Sequence, residues 1–400
     1  MIAVVGGDVV LPDRVQAGGT VLVDGERIAA VEAGRAEPAG AHVIDATGCY
    51  VVPGFVDVHV HGVLGHDTLD GGDAIARIAA ALPQYGVTAF CPTTVACPPD
   101  ELRAFLDRVR LARITGGFGA ARVLPAHLES NFISPEYRGA QPAACLRLPP
   151  GLEQVQQAYL SDPGEYSGVQ ILSAIAVARA DVGIITLAPE LPGGIDLVRS
   201  LARAGHIVSL GHSGADLETA MAAIDAGARH ATHLFNRMTP IAHRSPGLAG
   251  AVLARDEITP ELICDGYHVH PAMCRVAINA KGPAHIMAIT DGTAGSGQPV
   301  GSEGRLGGRT IHVRDEAAFL DDGTLAGSTL TMDRAFRNIV MSFGRSVVDA
   351  ALMCATAPAR QLGLTDCGAI AAGLAADLVL LDRDLRIVRT IVAGEEVWES

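Results

Sequence analysis

His59 and His61 stand two residues apart in Phe55-Val56-Asp57-Val58-His59-Val60-His61-Gly62, where apolar and polar residues alternate. That alternation is the period of a β-strand, in which residues i and i+2 share a face. The two imidazoles therefore project together, with Asp57 on the same side one step deeper, and Gly62 lets the chain turn. A pair of imidazoles at a strand end is suited to one transition-metal ion. Taken alone, the same pattern also describes a half-buried strand whose histidines only make hydrogen bonds. Four more polar residues close apolar runs elsewhere: Glu129 after 123–128, His212 after 207–211, His233 after 231–232 and Asp291 after 286–290. Carboxylate and imidazole groups without a thiolate favour Zn²⁺ or Fe²⁺. Such an ion polarises a carbonyl and lowers the pKa of a water toward ~7. Asp291, ionised at neutral pH from a reference value of about 3.9, is the group expected to take the water's proton and pass it to a leaving group. The residues alone read as a metal-assisted hydrolase of an amide or related bond.

Something must bring those strand ends together. Eight strand-like runs, 55–61, 87–92, 123–128, 183–187, 207–211, 230–234, 261–264 and 286–290, occupy the middle of the chain. Segments with apolar spacings of three and four, at 74–82, 100–111, 195–204 and 215–226, separate many of them. Further helices are expected at 332–343 and 347–361, a longer insertion at 130–180, and an irregular Gly-rich loop with strand-like pieces at 292–327. The pattern predicts an α/β fold, a (β/α)8 TIM-type barrel over 53–363, with its chemistry at the C-terminal ends of the strands. Short β-rich runs before residue 52 and after 364, punctuated by Asp24-Gly25 and Gly394, predict a small β-sandwich domain built from both termini, 1–52 and 364–400.

Composition narrows the partners. A formal charge of −14 over 400 residues argues against nucleic acid and anionic membrane surfaces. An anionic small substrate therefore needs its own local Arg or Lys. The eight cysteines form no C-x-x-C pair, most lie in apolar runs, and no stretch reads as a signal peptide or a membrane span, so a cytoplasmic protein with reduced thiols is expected.

Longer motifs then carry a resemblance. Asp57-Val58-His59-Val60-His61-Gly62, the terminal β pieces and the strand-end Asp291 resemble the amidohydrolase superfamily. More narrowly, His127-Leu128-Glu129, Leu187-Ala188-Pro189-Glu190, Gly211-His212-Ser213 and Thr232-His233-Leu234-Phe235-Asn236-Arg237-Met238 resemble the N-acetylglucosamine-6-phosphate deacetylase family. So do Arg244-Ser245-Pro246-Gly247, Asp265-Gly266-Tyr267-His268, Thr290-Asp291-Gly292 and Gly323-Thr324-Leu325-Ala326-Gly327-Ser328. The resemblance implies a metal-dependent enzyme that hydrolyses the N-acetyl group of an amino-sugar 6-phosphate and works as a homodimer or higher homo-oligomer. It implies Glu129, His212 and His233 as ligands of a main divalent ion, Zn or Fe, and His59 and His61 as ligands of a second that only some members keep. Asp291 becomes the general base and then acid. Asn236, Arg237, Arg244 and His268 are implied at the sugar phosphate, Arg244 reaching into a neighbouring subunit's site. The backbone of Leu325, Ala326 and Gly327, together with Ala140 and Gln141, is implied around the acyl group.

Three departures stand out. The family's Glu-Gly-Pro is Glu129-Ser130-Asn131 here, its Asn-Ala-Met is Asn236-Arg237-Met238, and Gln141 aligns with a family histidine that polarises the acetyl carbonyl. Gln141 can donate to a carbonyl oxygen but carries no charge. These changes leave two alternatives open: a metal-dependent amidohydrolase for another N-acyl substrate, such as N-acetylgalactosamine-6-phosphate, and a catalytically silent barrel used as an interaction protein.

Overall fold

A computed structural model describes the chain except for residues 118, 153, 155–158, 161–164 and 315–316, so part of the expected insertion at 130–180 lies outside the described residues. The expected (β/α)8 barrel forms. Its strands are Phe55–Val60, Val87–Thr94, Ala126–Glu129 (with a forerunner at Arg122–Val123), Val182–Leu187, Ile207–Leu210, His230–Ala231, Thr259–Ile263 and Met287–Ile289, numbered 1 to 8 below. All pair in parallel with their neighbours. Strands 1 and 2 are buried along their whole length; strand 2 accordingly carries no charged residue, while strand 1 buries Asp57 and His59. Closure between strands 8 and 1 uses the loop beyond strand 8. His61 N–H donates to Gly292 O at 2.8 Å, and Thr290 Oγ1 donates to Asp57 Oδ2 at 2.6 Å.

A helix follows each barrel strand: Ala74–Ala81, Pro99–Thr115, Gly168–Val177, Gly194–Arg203, Leu217–Ala226, Gly247–Ala254, Pro271–Lys281 and Met332–Met341. The fifth part of this ring illustrates the local logic. In Leu217–Ala226 the Asp216 carboxylate caps the Thr219 N–H at 2.8 Å, Ala220, Ala223 and Ile224 turn inward, and Gly227 ends the helix at φ 124. The stretch 347–361 forms a helix interrupted by a π-turn at Leu352–Thr356.

Strands from both ends of the chain share one mixed sheet. Its order runs Glu395–Glu399, Ile387–Val392, Leu378–Leu381, Tyr50–Pro53, Ile2–Val10, Val15–Asp24, Arg27–Glu32, with His42–Asp45 beside Ile2–Val10. It has a core of its own around Val4, Val21, Ile28, Val51, Leu378 and Ile391. The Gly-rich segment read as an irregular loop is more ordered than that. Glu303–Leu306, Arg309–Arg314, Ala317–Phe319 and Leu325–Ser328 form a four-stranded antiparallel sheet that packs Leu306, Ile311, Ala318 and Ala326 against Val95. Its glycines occupy turns at positive φ rather than a structureless stretch: Gly307, Gly308 and Gly323 have φ 55, 77 and 83. This sheet hangs on strand 8 through Ser328 N–H to Asp291 O at 2.8 Å. Among the described residues, no helix is long and apolar enough to cross a membrane.

Candidate active site

The C-terminal rim of the barrel gathers the strand-end residues. His59 leaves strand 1 and His61 follows it, Glu129 ends strand 3, and His212, His233 and Asp291 lie just past strands 5, 6 and 8. The last three share a feature. His212, His233 and Asp291 have φ 47, 30 and 48, the left-handed region that non-glycine residues avoid, and each sits where its chain must turn off the barrel.

Glu129 is the hub. Its Oε1 lies 2.7 Å from His212 Nε2 and 2.9 Å from His233 Nε2, and those two nitrogens are 3.1 Å apart. Its Oε2 lies 3.5 Å from His61 Nε2. His59 Nε2 is 3.2 Å from His61 Nε2, and Asp291 Oδ1 stands 3.3 Å and 3.4 Å from these two nitrogens. Two donor sets follow, Glu129 with His212 and His233, and His59 with His61 and Glu129.

Hydrogen positions test whether these sets suit a cation. His212 Nδ1 faces Tyr137 O at 2.8 Å, and a carbonyl only accepts, so Nδ1 carries the hydrogen. In the tautomer with that single hydrogen, the Nε2 lone pair points at a carboxylate oxygen, another acceptor. Acceptors facing one another at such distances require positive charge between them. Ligands at about 2.1 Å from a tetrahedral ion lie about 3.4 Å from one another, close to the 3.2–3.5 Å spacings around His61, while the set of Glu129, His212 and His233 is drawn tighter, at 2.7–3.1 Å. The residues fit a divalent ion.

Electrostatics points the same way. Burial opposes ionisation of Glu129, but His212, His233 and His61 outweigh it and hold the carboxyl well below the usual carboxylate range. Asp291 is likewise kept low against its burial by His59, His61 and His233. Burial also opposes charge on His59 and His61, yet Glu261, Asp291 and Glu129 lift the first to about 9, and Asp291 and Glu129 lift the second to about 10. Two buried carboxylates demand positive charge beside them.

A cleft open to solvent lies above this rim. His61, Glu129, Ala140, Gln141, His212, His233, Asn236, Arg237, His268, Asp291, Leu325 and Gly327 line it, with Leu306 from the four-stranded sheet. Gln141 reaches the floor. Its amide donates to Glu129 Oε2, and its own oxygen accepts Ala96 N–H at 2.7 Å. His268 Nδ1 is held by Asp265 Oδ2 at 2.6 Å, while the opposite nitrogen, Nε2, is buried with no partner among the described residues, in a ring that lines the cleft. Arg237, at φ 50, lays its side chain along Gly139 at the cleft, its main-chain oxygen accepts the Ser213 N–H at 3.0 Å, and its guanidinium makes no hydrogen bond or ion pair to a described residue.

Two expected residues lie elsewhere, whereas His59, wholly buried, stays beside His61 and Glu129. The Ala326 side chain turns away into the packing of the four-stranded sheet, although its neighbours Leu325 and Gly327 face the cleft. Arg244 lies at the exposed tip of a tight turn closed by Ala242 and Ser245, and it does not line the cleft of its own chain.

The motifs did not single out Glu261, on strand 7, which touches His59, His230 and the main chain of His233. Its signal was present: a carboxylate inside the apolar run Glu261-Leu262-Ile263-Cys264 must be paired if it is buried. Asp57 also proves structural. It is completely buried and ties strand 1 to Thr290, and burial pushes its carboxyl up to about 7.

Residues 50–397 match the Amidohydrolase family. An N-acetylglucosamine-6-phosphate deacetylase of Lysinibacillus sphaericus is 36% identical over 359 residues, 89% of this chain and 87% of that one. The enzyme of that name from Bacillus subtilis is 33% identical, covering 98% of this chain and 96% of its own. Among solved structures, N-acetylglucosamine-6-phosphate deacetylase from Pasteurella multocida superposes with a TM-score of 0.89 at 27% identity, covering 100% of both chains. A point mutant of the Mycobacterium smegmatis enzyme, in complex with N-acetyl-D-glucosamine-6-phosphate, superposes with a TM-score of 0.86 at 32% identity over 99% of each chain.

Proposed function

Since the chain belongs to the amidohydrolase family and, within it, to the N-acetylglucosamine-6-phosphate deacetylases, we propose that it hydrolyses N-acetylglucosamine-6-phosphate to glucosamine-6-phosphate and acetate. The observation that carries this reading is the convergence of Glu129, His212 and His233 with Asp291 at one barrel rim, beneath a cleft that their side chains line.

In this reading Glu129, His212 and His233 would hold a first divalent ion, zinc or iron, and His59 and His61, beside Glu129, would hold a second. Such an ion supplies Lewis acidity toward the acyl carbonyl and the attacking water. The chain's own groups do the rest. Asp291, kept ionised by the surrounding imidazoles, takes the proton as water adds to the acyl carbon, and returns it to the nitrogen as the C–N bond breaks. Acetate and the free amine leave. Gln141, with one amide hydrogen on Glu129, has its second to offer the oxygen of the tetrahedral intermediate. The backbone at Leu325 and Gly327 frames the acyl group, and Ala140 lies beside it.

The far end of the sugar takes Asn236, Arg237 and His268, whose free Nε2 suits a phosphate oxygen. Arg244 stands outside its own cleft, so it is read as serving a neighbouring copy, which makes the working form a homodimer or larger. All eight cysteines are free thiols, in keeping with the reducing cytoplasm. Deacetylation assays with N-acetylglucosamine-6-phosphate, N-acetylgalactosamine-6-phosphate and unphosphorylated N-acetylglucosamine test the reading. Fastest turnover of the first is expected, and equal turnover of the unphosphorylated sugar defeats it.

A further inference from the structure

We propose that Glu261 is a positioning residue that builds the second metal position, by setting the tautomer of His59 and anchoring the strained main chain of His233. The proposal rests on the reading that the rim holds metal.

Glu261 is completely buried in the middle of strand 7. Its Oε2 lies 2.9 Å from His59 Nδ1 and accepts the His233 main-chain N–H at 3.0 Å, while Oε1 lies 2.8 Å from His230 Nε2. An ionised carboxylate has only acceptor sites, so each of these nitrogens carries its hydrogen toward Glu261. His59 is thereby a donor at Nδ1, so the hydrogen its ring gives up when a metal ion takes its place is the one on Nε2, the atom that faces His61 Nε2 and Asp291 Oδ1. The same carboxylate oxygen that orients a side chain of the second donor set also fixes the backbone of a ligand in the first. That backbone needs fixing, because His233 turns off strand 6 at φ 30. A carboxylate behind a metal-binding imidazole sets its tautomer and raises its basicity.

The other possibility is that Glu261 is itself a ligand, together with His59 and His127, whose donor atoms come within 4.8 Å of one another. Hydrogen positions exclude it. His127 Nδ1 faces Val58 O at 3.0 Å and must donate there, and its Nε2 is occupied by Thr186 Oγ1 at 2.8 Å. With both Nδ1 atoms carrying hydrogen, that trio offers a cation a single carboxylate. Glu261 acts from beneath the site.

The test is calorimetric titration of Zn²⁺ into chelator-treated wild type and Glu261→Gln, followed by the visible spectrum of the Co²⁺-loaded proteins. Wild type should take two ions. In the folded variant both ions should bind more weakly, the second by about 10–100-fold and the first, whose ligand His233 loses part of its anchor, by less, with loss of the second ion's contribution to the Co²⁺ spectrum. Unchanged affinity for both ions overturns the proposal, as does a wild type that stops at one ion. A wild type that binds none defeats the underlying metal reading instead. ¹⁵N-detected NMR of histidine-labelled wild type decides the case if the variant does not fold: His59 should be protonated at Nδ1, and a hydrogen found on Nε2 in its place overturns the assignment.

Discussion

Gln141 donates its side-chain amide to Glu129 Oε2 while its own oxygen accepts the Ala96 main-chain N–H at 2.7 Å. A main-chain N–H can only donate, so this contact settles which end of the amide is oxygen, an assignment that shape alone leaves ambiguous. The NH₂ group is thus committed to the site. One hydrogen restrains the hub carboxylate and the other is left for the cleft, a division of labour that a histidine with a single N–H cannot copy.

Replacing that amide should therefore affect chemistry more than binding. Gln141→Ala is expected to lower kcat more than it raises KM, since a donor to the developing oxyanion is removed and Glu129 is released on one side. Steady-state kinetics on N-acetylglucosamine-6-phosphate checks this. A change confined to KM would show that Gln141 serves only ground-state binding.

Asp291 lies 3.3 Å and 3.4 Å from the imidazole nitrogens of His59 and His61, where a water attacking over those rings would be activated. Asp291→Asn keeps the side-chain shape and removes the base. The fold should survive, as judged by circular dichroism, and kcat should fall by about 10²–10⁴. Activity within a few-fold of wild type would remove Asp291 from the proton transfer.

Metal removal should be felt in stability as well as in rate. An ion that binds only the folded chain stabilises it by about 2.7 kcal/mol when its free concentration is 100 times Kd. Chelation should lower Tm and stop turnover, and added Zn²⁺ should restore both. Elemental analysis after excess metal is expected to approach two ions per chain, and His59→Asn with His61→Asn should leave one. A plateau at one ion in wild type, unchanged in the double variant, would sink the second position.

Arg244 poses a different question, because it is exposed at its turn and absent from its own cleft. A hydrogen bond to a charged group contributes about 1.5–3 kcal/mol, so Arg244→Ala should cost about 10–100-fold in kcat/KM on phosphorylated substrates. Unphosphorylated N-acetyl sugars should be largely spared. If the arginine serves a neighbouring copy, mixed oligomers pairing Arg244→Ala with Asp291→Asn chains should regain activity. Equal losses on both substrate classes would mean that Arg244 supports the fold and not the phosphate.

Much of this protein follows from local sequence. The period-2 alternation around His59 and His61 dictates two imidazoles on one strand face, and eight apolar runs separated by helical spacing dictate a barrel. Once the barrel is granted, residues that close those runs must share its rim, which is why Glu129, His212, His233 and Asp291 are gathered by spacing alone. Other features depend on groups far apart in the chain meeting at defined angles. Glu261 reaches His59 across 202 residues, Gln141 finds Ala96 across 45, and neither partner is implied by the spacing around the other. Arg244 illustrates the converse, since nearness in sequence to Asn236 and Arg237 did not bring it into the same cleft. The glycine-rich segment at 303–328 lacked the unbroken apolar runs that mark the barrel strands, because its strands are short and only one face of the sheet is buried. Periodicity records which face a residue presents. Which hydrogen each buried nitrogen carries, and toward what, is decided only when closure of the barrel brings an obligatory acceptor or donor within about 3 Å of it.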